Sequence, residues 1–320
     1  MSSEMTTREG NVERKMDLKK TRITGIGCAL TGGVLWGVSG VCGQFLFQHK
    51  DVTASWLVPI RLTCAGTLLL LYFLIRDRQR ALSVWKERRN AADILVYAIA
   101  GMMLCQYSYF QTIEWSNAGT ATVIQYLGPA MTVVYVCVSE RQRPKRKEVL
   151  AVLLALSGIF LIATHGRPGT LALSQKALGM GLLSAVALVI YTVKPRRLLT
   201  QFPAPLILAW GMLVGGIVLM GLMRPWRHMP LPDAQLIGVL LVIIIFGTMT
   251  SFSLYLHSVK LIGPVQAGLF ACVEPVAATV LSVVCMKETF VGMDLLGFVL
   301  IVATVFVLAV PEKKRVEKKF

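Results

Sequence analysis

The chain is short of charge. Only 16% of its 320 residues are Asp, Glu, Lys or Arg, whereas a soluble domain carries about 25%. So little charge does not cover a water-facing surface, which excludes one large soluble domain. Catalytic signatures are missing as well. There is no GxxxxGK[ST], no HExxH, no GxSxG and no pair of acids inside an apolar run, which argues against ATP-driven transport by this chain alone and against an intramembrane enzyme. The seven cysteines (Cys28, Cys42, Cys64, Cys105, Cys137, Cys272 and Cys285) lie inside apolar runs. None has CxxC or Cys/His ligand spacing, so they read as small buried hydrophobes, with no metal site, disulfide framework or cofactor expected. Acidic residues are scarce too, and the net charge is +16. The basic residues sit at run ends and in short connections, with no aromatic-interleaved basic face, so no nucleic-acid partner is expected.

What is present is apolar sequence: 55% of the chain is hydrophobic and the mean hydropathy is +0.64. Runs close to the ~20 residues that cross a bilayer occur at Ile26–Phe47, Ser55–Ile75, Ile94–Trp115, Ala118–Val138 and Val149–Thr164. Five more occur at Ala177–Val193, Pro205–Met223, Leu236–His257, Val265–Met286 and Val291–Val310. The expected fold is all-α, an integral membrane protein of about ten transmembrane helices. Residues 1–22, polar and of mixed charge, read as a tail before a retained signal-anchor helix. With that tail cytoplasmic, 26 Lys and Arg fall inside and six outside. The positive-inside rule therefore puts both termini in the cytoplasm of a multi-pass inner or plasma membrane protein. Trp56, Trp115, Trp210 and Trp226 lie near run ends, as interfacial anchors do.

A shift of 146 residues superimposes the fourth run on the ninth: Tyr109 falls on Tyr255, Ala121 on Ala267 and Pro129 on Pro275. The chain divides into residues 23–164 and 165–310, with a second tail at 311–320. An odd number of spans per half turns the second half upside down, and the charges follow. Five basic residues succeed the fourth run, and Lys287 alone succeeds the ninth. Two inverted five-helix repeats can exchange conformations and open a central site to alternate sides. Pro129 and Pro275, each breaking its helix where protein or cavity water must satisfy the freed carbonyl, mark that centre.

Several side chains stand out. Glu274 lies about ten residues into the ninth run, where an ionisable group costs at least ~2.5–3.5 kcal/mol and must face protein or water. It reads either as a proton-coupling or cation-recognising group, or as an acid bonded to the backbone near Pro275. Arg61 in the second run can snorkel outward, act structurally or as a gate, or meet a carboxylate. Tyr109 and Tyr255, at mirrored depths, are gates or interfacial aromatics. Trp36, Gln44, Gln106, Gln125, Tyr126, Ser184, Tyr191, Ser251 and Ser253 offer polar or aromatic handles for a small amphipathic solute, or hydrogen bonds between helices. The fifth and tenth runs carry no interior charge and suit a lipid-facing or homodimerising position, with Ser157-Gly158 allowing close approach. His257 and Glu114, at run ends, are expected in water.

These residues carry a resemblance. Ala271-Cys-Val-Glu-Pro-Val-Ala-Ala, followed by Lys287-Glu288-Thr289-Phe290 and Gly297, resembles the second-repeat hallmark of EamA-type permeases in the drug/metabolite transporter superfamily. Gln125-Tyr126-Leu127-Gly128-Pro129 with Glu140 resembles the first-repeat hallmark. Pro59-Ile60-Arg61 and Leu35-Trp36-Gly37 resemble the family's second and first helices. The resemblance covers Gly25 to Val310. It implies a cavity lined by spans 1, 3, 4, 6, 8 and 9, peripheral spans 5 and 10, and export of a small metabolite such as an amino acid. Gly128 stands where the second repeat has Glu274, so a role for that carboxylate is confined to one half. The expected function is secondary active transport driven by protons or exchange. The alternatives are uptake or exchange of another metabolite or drug, and a non-transporting receptor or scaffold.

Overall fold

The computed structural model describes residues 2–139, 141, 143–167 and 172–309, the side chains of residues 2–19, 264 and 265 excepted. Glu140 and the tail at 311–320 lie outside the described residues. In hydrocarbon every backbone N–H and C=O needs an internal partner, so each apolar run closes into a helix. Among the described residues, ten helices are long and apolar enough to cross a membrane. Spans 1–5 are Lys20–His49, Ala54–Ser83, Arg88–Trp115, Ala118–Ser139 and Arg146–Thr164. Spans 6–10 are Gln175–Leu199, Ala204–Met223, Ala234–Ile262, Gln266–Met286 and Gly292–Ala309. Each expected run is there, and several helices continue past it. Span 1 is the end of a helix that begins at Ser2, in the expected tail. Local caps set other starts: the side chains of Asn117, Ser174 and Asp233 accept from Thr120, Ala177 and Leu236 backbone N–H at 2.8, 3.2 and 2.6 Å.

The packing follows two inverted repeats. Spans 2 and 7 lie together, as do 5 and 10, and 4 and 9. Each such pair joins the same helix of the two halves. Span 1 packs on 8 and 9, and its counterpart span 6 packs on 3 and 4, as a pseudo-two-fold in the membrane plane requires. Spans 5 and 10 meet through glycines: a Cβ on Gly158 would lie 2.8 Å from the Gly297 carbonyl oxygen, and one on Gly297 would lie 2.7 Å from that of Gly158. The small residue expected to support dimerisation is thus used inside the chain.

Backbone irregularities repeat as well. Span 4 breaks at Tyr126–Leu127 and span 9 at Cys272, where Tyr126 and Cys272 share φ/ψ of −67°/0° and −63°/0°. Pro129 and Pro275 fall in the first turn after each break, where a missing N–H costs least. Spans 3 and 8 each widen into π-helical turns, at Tyr97–Met103 and Val242–Thr250. The Thr248 hydroxyl donates to the Ile243 carbonyl at 2.9 Å inside the second. Gly101 and Gly247, 146 residues apart, sit in these turns. A Cβ on Gly101 would lie 3.0 Å from Tyr191 Cα in span 6, and one on Gly247 would collide with Ser39 in span 1. Each π turn therefore presses its glycine onto the first helix of the other half.

Several edge residues differ from expectation. Trp115 and Trp226 are exposed, but Trp56 is buried and Trp210 donates to the Ala81 carbonyl at 3.0 Å. Glu114 does not sit free in water. It accepts from Ala54 N–H at 2.6 Å and Gln111 Nε2 at 3.0 Å, capping span 2. His257 is exposed. Among the described residues no two cysteines form a disulfide, and Cys64 and Cys285 are exposed rather than buried.

Candidate functional site: a central cavity

A cavity of about 480 Å³ lies where the broken helices cross, within the range of small-molecule sites. Its wall takes Trp36, Arg61, Gln106, Tyr109, Gln125, Tyr126, Tyr191, Tyr255 and Glu274 from the residues singled out in the sequence, together with Pro129. Ser251 is not in the wall. Its hydroxyl is buried and donates to the Gly247 and Thr248 carbonyls at 2.8 and 3.2 Å. Ser184 is likewise committed to Gly181 O at 2.8 Å, and Ser253 to Met249 O at 2.6 Å. Pro275 is buried just behind the wall. Spans 2 and 10 also reach it, through Arg61 and Val305, in addition to spans 1, 3, 4, 6, 8 and 9.

The charged groups come one from each half. Arg61, 3% exposed, does not snorkel. Its Nη2 donates to Gln106 Oε1 at 2.6 Å, and its guanidinium lies 4.5 Å from the Phe110 ring centroid. Glu274 sits in the first turn of the helix after the span 9 break, where the half-helix N-terminus favours a negative charge. Tyr126 reaches across from the span 4 break, its hydroxyl 3.2 Å from Glu274 Oε2 and 3.1 Å from the Ala271 carbonyl oxygen. Ala271 stands four residues before Pro275, so its carbonyl has lost its helical N–H partner. The Tyr126 hydroxyl replaces that partner.

Aromatic rings surround the charges. Trp36 lies 4.9 Å from Phe252 and 5.2 Å from Tyr255, and Tyr191 stacks on Tyr97 at 5.4 Å. Tyr109 is buried and bonded to the Thr122 hydroxyl at 2.7 Å. Neither Tyr109 nor Tyr255 is an interfacial aromatic. Phe110, Phe252, Cys105 and Cys272 also belong to the wall, although in the sequence their side chains resemble the apolar background. The one available signal was position: Phe252 is the repeat mate of Gln106.

The two ends of the bundle are built differently. Wall residues run to Thr192 and Gly268, toward the near end where span 1 begins, and stop short of the far end. There Gln44, which is not a wall residue, ties three spans together. Its Nε2 donates to Glu288 at 2.7 Å; its Oε1 accepts from Ala118 N–H at 3.0 Å and the Ser282 hydroxyl at 3.3 Å. Lys50 also pairs with Asp233 at 2.6 Å, joining spans 1 and 8. At the near end spans 3 and 6 are joined by Arg197, which bonds Asp93 at 2.8 Å and Asn90 at 2.7 Å, with Lys194 on Asp93 at 3.1 Å.

A ten-span bundle of two inverted repeats, closed around an aromatic cavity with one cation and one acid, defines a membrane transporter. The EamA-like transporter family matches residues 23–164 and 175–310, and the chain belongs to that family. It is 34% identical over 287 residues to the uncharacterized inner membrane transporter YicL of Salmonella typhimurium, covering 89% of this chain and 95% of that one. It is 21% identical over 288 residues to the uncharacterized transporter YetK of Bacillus subtilis, covering 87% and 84%. A protein of known crystal structure, 19% identical, shares the fold with a TM-score of 0.59 over 89% of this chain and 96% of that one. The chain is thus a multi-pass inner or plasma membrane transporter.

Proposed function

We propose that the chain is a proton-coupled secondary exporter of a small amphipathic metabolite such as an amino acid, working by alternating access with both termini in the cytoplasm. The orientation rests on the 26-to-six distribution of Lys and Arg. In that orientation the cavity is a cytoplasm-facing site, and the Gln44 network is the outer closure.

One observation supports the coupling above all: the Tyr126 hydroxyl stands between Glu274 and the Ala271 carbonyl. A phenol has one proton to give. With Glu274 protonated, the carboxyl O–H donates to Tyr126 and Tyr126 donates to Ala271, so the broken helix is satisfied. With Glu274 ionised, Tyr126 turns its proton to the carboxylate and the Ala271 carbonyl loses its donor, which costs about 1–3 kcal/mol in a buried site. Proton loss thereby loosens the break about which span 9 bends.

The test is flux of labelled amino acids from proteoliposomes under an imposed pH gradient. Glu274→Gln is expected to abolish gradient-driven flux and spare downhill exchange. Gradient dependence equal to wild type removes the coupling role. Cysteines placed at Lys50 and Arg227 are expected to label from outside, and those at Arg78 and Arg143 from inside; the reverse pattern overturns the orientation.

A further inference from the structure

Among the described residues, seven buried side-chain polar atoms have no hydrogen-bond partner. Three of them, Arg61 Nε, Trp36 Nε1 and Ser39 Oγ, belong to residues of the cavity wall and lie just beneath its surface, within reach of a solute after a small shift of the wall. The first two can only donate, and the hydroxyl has its proton free to give. A buried donor without an acceptor costs about 1–3 kcal/mol, so three around one cavity call for an acceptor that the protein does not itself supply. Arg61 is the sharper case. Its guanidinium has a single hydrogen-bond acceptor among the described residues, the neutral Gln106, and no carboxylate within ion-pairing distance. A buried cation without a counter-ion is strongly unfavourable, and the missing partner is an anion.

We infer that Arg61, Ser39 and Trp36 form a carboxylate-binding subsite of the central cavity. This rests on the transport reading above and assigns the chemistry of one end of the solute. The charge count selects a monoanion. Among the described residues Arg61 is the only Lys or Arg in the wall, so a phosphate dianion would keep one charge uncompensated. A planar carboxylate matches the fork of a guanidinium, which carries free N–H groups beside the one on Gln106. Phe110 packs its ring against the guanidinium, with the centroid 4.5 Å from its central carbon. Elsewhere in the wall Glu274 also has no cationic partner among the described residues. A solute bearing both an amine and a carboxylate meets the opposite charge at each group.

The experiment is ligand-induced thermal stabilisation of the purified full-length protein in nanodiscs. The probes are a panel of amino acids, their α-amides and the corresponding decarboxylated amines, with flux of the same compounds measured in proteoliposomes. At least one acid is expected to bind, with its amide and amine about tenfold or more weaker. Arg61→Gln is expected to erase that difference. Ser39→Ala, which keeps the Cβ that packs on Gly247, is expected to weaken the acid severalfold, and it serves if the Arg61 variant does not fold. Amides or amines that bind as well as acids, or a panel in which no acid binds, overturn the subsite. Flux without acid-over-amide preference defeats the subsite and leaves transport standing. Acid-selective binding without flux does the opposite.

Discussion

The two halves of the molecule share their backbone and differ in their chemistry. Both break their fourth helix one turn before a proline, and both widen their third into π turns that press a glycine on the other half. The charges are not shared. Arg61 faces Ile207 in the 146-residue register, Glu274 faces Gly128, and Tyr126, which serves the span 9 break, faces Cys272. In the transport cycle proposed above, shape is duplicated because each half takes the pose of the other, and recognition is single because one solute is held once.

The likeness of the two halves is tested most strongly at the π-turn glycines. Gly247→Ala drives a methyl into Ser39 of span 1 and is expected to destabilise the fold by about 1–3 kcal/mol. Gly101→Ala, which meets Tyr191 backbone at 3.0 Å, is expected to cost less. Thermal unfolding of both variants reads the difference, and equal losses would mean that the halves are closer in packing than they look. Tyr126→Phe is expected next, at about 1–2 kcal/mol, since it strips the Ala271 carbonyl of its donor. Its mate Cys272→Ser should be nearly silent in the same assay and should retain pH-dependent flux, which Tyr126→Phe loses.

The ends give smaller effects. Arg197→Met removes bonds to Asp93 and Asn90 and is expected to cost about 1 kcal/mol after solvent screening. Lys50→Met breaks one exposed pair and should shift the melting temperature less. The smallest effect is a pH dependence. The Lys50 ammonium, with Leu236 N–H behind it, holds the Asp233 carboxyl below its usual 3.8. Its contribution is therefore present above pH 3.8 and disappears as the pH falls through the lowered value. Melting curves taken as the pH is lowered from about 5 to about 2 should show this slope in wild type and lose it in Asp233→Asn.

The ten spans were legible because apolar length and charged ends are written in every residue. Glu274, the prolines and the paired tyrosines were legible because a polar or ring-locked residue is conspicuous in an apolar run. Which way Arg61 turns was not, since snorkelling and burial use the same residue. The choice is made by Gln106 and Phe110, more than forty positions away. Ser251 failed for a local reason: a helical hydroxyl can satisfy itself on its own backbone, and no neighbouring residue type reveals that it has. The π turns left no trace either, because Tyr97–Met103 and Val242–Thr250 have the composition of ordinary apolar helix.

Those turns have a consequence for the phase of the helix. A π turn is an α-helix with a surplus residue, and each residue carries about 100° of rotation. Span 3 does two jobs on either side of its turn: Asn90 and Asp93 meet Arg197 at one end, and Gln106 and Tyr109 line the cavity beyond. The surplus residue acts as a phase adjuster that lets both faces point where they must. Losing one residue at Ile99 would leave a helix of the right hydrophobicity and nearly the right length, with one end turned away from its task.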